Sequence, residues 1–189
     1  MSFKSVFMYT SISTFVRVIS GIAINKILAI FIGPSGLAMY GNYMNFATIL
    51  AIGGSGSSQT AITKLLAGSG SRKETKELLF SSLVIIFSLS LVISCLSFLF
   101  IENIAEYIFR DASLHSYVYL SIAIMWISVF NLSFLAILNG LKEYKYYALF
   151  NMLVAFGPAI LIFFLRSYVD IFYIMSSYLF SNIAISICL

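Results

Sequence analysis

A chain of 189 residues in which 61% are hydrophobic and only 10% charged, with a mean hydropathy of +1.01, lacks the polar surface that a water-soluble globular domain needs. Its net charge of +4 sits in short clusters between long uncharged stretches, which reads as an all-α integral membrane protein with no nucleic-acid partner. One His and two Cys, both cysteines inside apolar stretches, offer neither a metal site nor an expected disulfide, and no cofactor is implied.

The first apolar stretch, Val6–Ile32, predicts a membrane helix. It is too long for a cleavable signal, is interrupted by Arg17 and has no small-x-small cleavage site before Gly33, so it is expected to remain as the first span. Gly33-Pro34-Ser35-Gly36 is a tight-turn sequence, which assigns the uncharged run from Ile27 to Thr63 to two helices. The expected spans, at roughly 20 residues per crossing, are Val6–Ile32, Leu37–Ala67, Leu78–Ile101, Ser116–Leu138, Tyr146–Leu165 and Ile171–Leu189.

Between the second and third spans, Ser71 and Glu74 have the spacing of a capping box. Gly157-Pro158 predicts a kink in the fifth span, because proline removes a backbone donor and clashes with the preceding turn. Asn131-Leu132-Ser133 matches a glycosylation sequon but falls inside the fourth span. Trp126 also lies in mid-span, whereas Tyr107, Tyr117, Tyr144, Tyr146, Tyr147 and Tyr168 fall near expected boundaries, where an amphipathic ring suits the headgroup region.

Basic residues orient the bundle. Lys4, the connection with Arg72, Lys73 and Lys76, and the connection with Lys142 and Lys145 alternate with connections poor in Lys and Arg. That places the N-terminus in the cytoplasm. The connection Glu102 to His115, net acidic around Arg110, is expected to face outward, as is the charge-balanced turn with Arg166 and Asp170.

The functional signal lies in the polar residues of the first two spans. Thr10, Ser13, Thr14, Arg17, Ser20 and Gly21 share one face of a helix advancing 100° per residue, with Lys26 about half a turn out of phase. This stripe is expected to line a groove against the second helix. A cation in mid-membrane costs about 2.5–3.5 kcal/mol on insertion scales, so it normally faces protein or water. No Asp or Glu lies within a span to pair with Arg17, which favours an anion site over a structural ion pair. Lys26 and Lys64 are candidates too, although each could instead snorkel to an interface.

The second span adds Gly41, Asn45, Thr48, Ser55, Gly56, Gln59 and Thr63 on another polar face. Its run Gly53-Gly54-Ser55-Gly56-Ser57-Ser58 could unwind and aim backbone N–H groups at an anion, or serve close helix packing. No P-loop, nucleophile-base pair or carboxylate dyad is present, and no enzyme activity is expected. The candidate substrate-binding residues are Arg17, Lys26, Lys64, Asn45 and Gln59.

The stretches Thr14-Phe15-Val16-Arg17, Asn25-Lys26-Ile27-Leu28-Ala29, Gly33-Pro34-Ser35-Gly36-Leu37 and Ala61-Ile62-Thr63-Lys64-Leu65-Leu66-Ala67 resemble the opening of the Wzx-type flippases. Ile108-Phe109-Arg110-Asp111 and Leu138-Asn139-Gly140-Leu141-Lys142 extend the likeness more loosely. These O-antigen and lipid III translocases form the polysaccharide-transport branch of a superfamily of MATE-like exporters. The resemblance implies a two-lobed bundle around a cationic cavity, of which residues 1–189 form the N-terminal six-helix lobe, so that the chain is expected to be a fragment. It further implies flipping of undecaprenyl-pyrophosphate-linked oligosaccharide across the bacterial inner membrane, with a polysaccharide polymerase and a chain-length regulator as partners beside membrane lipid. The alternatives are a MATE-type drug/cation antiporter, whose chemistry wants a membrane-embedded carboxylate, and a non-transporting scaffold of a polysaccharide-assembly complex.

Overall fold

The computed structural model of the protein describes residues 3–56, 58–68, 70–164 and 171–188, and every regular element in them is helical. In chain order these are α1 Phe3–Phe31, α2 Gly33–Ser55, α3 Ser58–Gly68, α4 Arg72–Leu99, α5 Ile101–Phe109, a 3-10 turn over Ala112–Leu114, α6 His115–Gly140, α7 Tyr144–Phe164 and α8 Ile171–Cys188. They form two compact units, Met1–Gly41 with Tyr144–Leu189, and Asn42–Glu143. The division between the units falls within α2.

In the first unit α1 packs along α7 and α7 along α8. The buried positions of α1 are Ser13, Ser20, Ile24 and Leu28, a helical stripe whose small serines let the backbones approach. Between α7 and α8 the same device recurs: a Cβ on Gly157 would lie 2.8 Å from Ile185 Cδ1 and 3.5 Å from Ser181 Cβ. Such close approach matters in lipid, where van der Waals packing replaces the hydrophobic drive between helices. Pro158 lies inside a continuous α7. At the start of α2, Gly33 takes φ +75° and separates α1 from α2, after which Pro34 occupies a first-turn position whose missing N–H costs nothing.

The second unit is built round a core of Leu50 and Ala51 from α2, Ile62 and Leu66 from α3, Ile86 from α4, Ala105 from α5, and Val118, Ile122, Met125, Val129 and Ala136 from α6. Contacts run α3 to α4 and α6, α4 to α6, and α5 to α6. The expected Ser71 cap is present, with Glu74 N–H donating to Ser71 Oγ at 3.2 Å, but the Glu74 carboxylate reaches one residue past the capping-box position, its Oε2 accepting from Gly70 N–H at 3.1 Å. At the other end of α6, Lys142 takes φ +61° while Glu143 N–H donates to Leu138 C=O at 2.9 Å, which is the Schellman closure of a helix with a lysine where glycine is usual.

Three expectations need correction. The expected second span, Leu37–Ala67, is two helices, because α2 stops at Ser55 and Gly56 takes φ +55°. The connection expected between Ile101 and Ser116 is mostly α5, whose Ile101, Ile104, Ala105 and Ile108 face inward while Glu102, Asn103 and Glu106 face out. The i, i+3, i+4, i+7 spacing of those apolar residues makes it helical, and Asn42 Nδ2 donates to its Ile108 C=O at 3.4 Å. Finally, the packed face of α1, expected from sequence to meet the second helix, meets α7 within the first unit.

Among the described residues four helices are long and apolar enough to cross a membrane: Lys4–Phe31, Lys73–Leu99, Ala112–Gly140 and Tyr144–Phe164. This is an all-α protein of membrane-embedded character. Glycine, asparagine and serine dilute the apolarity of α2, and the 18 residues of α8 sit near the lower limit of roughly 17–25 for a span. The turn with Arg166, Tyr168 and Asp170 lies outside the described residues.

Candidate substrate-binding residues and the break in the second span

Arg17 and Lys26 belong to the first unit. The stripe read from sequence divides in two: Ser13 and Ser20 are buried and Thr10 half-buried, whereas Thr14, Arg17 and Gly21 are exposed. Thr10 and Ser13 spend their hydroxyls on helix carbonyls, Thr10 Oγ1 on Val6 C=O at 2.9 Å and Ser13 Oγ on Thr10 C=O at 2.9 Å. Ser20 does not: its Oγ is buried without a hydrogen-bond partner. Arg17 is exposed although it lies only about 25° round the helix from the mean direction of Ser13, Ser20, Ile24 and Leu28. Lys26, also exposed, lies about half a turn from Arg17, beside the exposed Ile19, Ile22 and Ile30.

Asn45, Gln59 and Lys64 belong to the second unit. Asn45 lies opposite the buried Tyr43, Ala47 and Leu50 side of α2 and is exposed. On α3, Ile62 and Leu66 define the packed face; Gln59 is half-buried at its margin and Lys64 is exposed on the far side. The structure therefore separates Gln59 from Lys64 by more than a third of a turn, rather than aiming both at one point. No hydrogen bond or ion pair among the described residues ties down Arg17, Lys26 or Lys64.

Sequence reasoning missed the polar spine of the second unit. Ser90, Ser94 and Ser97 on α4 are buried, although that helix otherwise exposes Phe80, Val84, Phe87, Leu91 and Leu99. Trp126 Nε1 donates to Ser94 Oγ at 2.9 Å, Ser94 Oγ donates to Ser90 C=O at 2.9 Å, and Ser90 Oγ donates to Gly54 C=O at 3.3 Å. Phe87 packs on Trp126 with ring centroids 5.2 Å apart. The i, i+4, i+7 spacing of three serines in an apolar helix was the legible signal, and it also accounts for a tryptophan in mid-span: its indole N–H has a buried acceptor.

That spine ends at the break. The α2 ladder closes with Gly56 N–H shared between Ile52 C=O at 3.0 Å and Gly53 C=O at 3.1 Å. Gly53 and Gly54 serve close packing as well, since added Cβ atoms would meet Ile93 Cδ1 at 2.8 Å and Ser90 Oγ at 2.9 Å. The glycine-rich run thus serves close packing before the break, and the helix is interrupted at Gly56.

Elsewhere in this unit a cleft of about 410 Å³ opens between the end of α3, the start of α4 and the end of α6, lined by Leu66, Gly70, Ser71, Thr75, Gly140 and Lys142 among others. The N–H groups at the start of α4 are engaged there by Ser71, and Glu74 supplies the negative charge that the helix dipole favours. Near the opposite end of α6, Ser113 donates through its hydroxyl and its N–H to Asp111 Oδ1 at 2.7 and 2.8 Å. These bonds hold the exposed Asp111 carboxyl below the ordinary aspartate range. Comparison with known protein families, curated proteins and solved structures gives no match.

Proposed function

We propose that this chain is the N-terminal lobe of a bacterial inner-membrane flippase that moves an undecaprenyl-pyrophosphate-linked oligosaccharide from the cytoplasmic to the outer leaflet by alternating access. The observation that carries the reading is Arg17, a cation in mid-helix on an apolar span, with no carboxylate in the spans beyond Glu74 and Glu77 near the start of α4. A diphosphate complements such a charge, and the attraction in a partly desolvated cavity exceeds that in water. Lys26 and Lys64 serve in this reading as cationic contacts nearer the two membrane surfaces, and Asn45 and Gln59 as hydrogen-bonding contacts.

The N-terminus is cytoplasmic in this reading, and the outward end carries the acidic face of α5. In cells that lack their own flippase, the full-length protein should restore surface polysaccharide, and Arg17→Ala should abolish that restoration at unchanged membrane abundance. Normal polysaccharide with Arg17→Ala would remove the assignment, and drug resistance without any effect on polysaccharide would favour a cation antiporter.

A further inference from the structure

We propose that the α2–α3 break is one setting of a two-position switch, in which the Gly54 carbonyl exchanges its hydrogen-bond donor. In the observed setting the donor is Ser90 Oγ, at 3.3 Å. In the other setting α2 runs on into α3 and the donor is the Ser58 N–H, four residues along, as in any α-helix. A backbone carbonyl at membrane depth needs a donor in either case, because none is supplied by lipid. Ser90 is what makes the broken setting admissible, and the helix itself makes the straight one admissible.

Three further observations fit the exchange. Gly56 at φ +55° is the one residue type that passes between left-handed and helical conformations without strain. Ser58 Oγ is out of reach of solvent and has no acceptor in the broken setting. In the straight setting Gly54 C=O lies one turn before it, where Ser94, Ser121 and Ser133 each find a carbonyl in their own helices.

What the switch moves is α3. In the broken setting Thr63 Oγ1 donates to Ala136 C=O at 3.1 Å and Leu66 sits against Gly140, which fastens α3 to α6. Straightening redirects α3 and carries Gln59 and Lys64 away from α6, so a ligand that engages those side chains in only one direction of α3 biases the switch. The switch stands on these contacts whichever substrate the protein carries.

The test is a distance measurement between nitroxide labels at Leu65 on α3 and Phe130 on α6, both exposed, in the full chain in nanodiscs with Cys95 and Cys188 replaced by serine. The unmodified sequence should show a dominant distance and a minor longer one. Ser90→Ala should raise the minor population about three- to tenfold, the range expected for one interhelical hydrogen bond in a membrane, and Ser90→Thr should restore it. Gly56→Ala acts by separate physics, since its Cβ would lie 2.8 Å from Leu89 Cδ1 at a positive φ, and it should shift the distribution the same way. Unchanged Trp126 emission establishes that each variant is folded. Folded Ser90→Ala and Gly56→Ala variants whose distance distribution is unchanged from the parent's, or a single distance in all three, would overturn the proposal.

Discussion

Gly140 is the sharpest place to test the packing of α3 on α6. An alanine there would put its Cβ 2.8 Å from Leu66 Cβ, 3.2 Å from Thr63 C=O and 3.3 Å from Leu66 Cδ1. Two of those atoms are fixed by backbone, and Leu66 is 4% exposed, so neither neighbour has free space to retreat into. Overpacking of this kind costs about 1–3 kcal/mol. Alanine also gains up to about 1 kcal/mol over glycine in a helix, which would mask part of the loss. Gly68, the last residue of α3 as Gly140 is of α6, supplies the correction, because a Cβ there meets nothing within 4 Å.

The difference between Gly140→Ala and Gly68→Ala therefore isolates the clash, and should amount to about 1–3 kcal/mol. Reversible unfolding of the purified chain in mixed micelles with increasing denaturing detergent, followed by Trp126 emission, measures it. Equal stability of the two variants would show that α3 does not lie against α6 at Gly140, and with it would go the fastening of α3 on which the switch depends.

Two further outcomes follow from backbone and charge. Lys142→Gly should stabilise the same unfolding transition by about 0.5–1 kcal/mol, because it relieves a left-handed lysine at the Schellman position; a loss of stability would mean that the lysine side chain makes a compensating contact. Ser113→Ala should raise the Asp111 carboxyl toward the ordinary value of about 3.9, as read by a carbon-13 titration. Since the folded value is the lower one, the linked stability is present above about pH 4 and is lost as acid carries the pH down through the folded value. A titration unaltered by the substitution would refute the role of Ser113.

How far these features were legible in the sequence depended on whether the signal was local. The Ser71 cap needed only a hydroxyl and an acid three residues apart, and the structure places the hydroxyl as expected. The turn at Gly33 and the helices through Phe31, from Tyr144 and from Ile171 followed from charge spacing and apolar length. Gly56 was harder, because the same glycine-rich run suits a continuous packed helix and a broken one; the choice was made by α4, whose Ser90 offers a donor that no reading of α2 alone could contain. The candidate stripe on α1 failed in a similar way. Periodicity found the polar side of the helix, but its packing partner is α7, over a hundred residues away in the chain, which covers Ser13 and Ser20 while Arg17 stays exposed. For α5 the pattern was visible, and the acidic residues drew attention away from the four apolar ones between them.

The serines of α4 also settle how that helix is turned about its own axis. A rod studded with leucine, valine and phenylalanine on nearly every side feels the same surroundings whether it meets acyl chains or other side chains, so apolar contacts alone leave its azimuth almost free. Ser90 and Ser94 remove that freedom, because turning them outward would take the donor from the Gly54 carbonyl and the acceptor from the Trp126 indole, neither of which lipid can replace. They act as the key of a shaft. One residue inserted between Glu77 and Ile86 would swing the key by about 100° relative to the anchored start of the helix, and the mismatch would be felt at Trp126 and at the Gly54 carbonyl while leaving the hydropathy of the span unchanged.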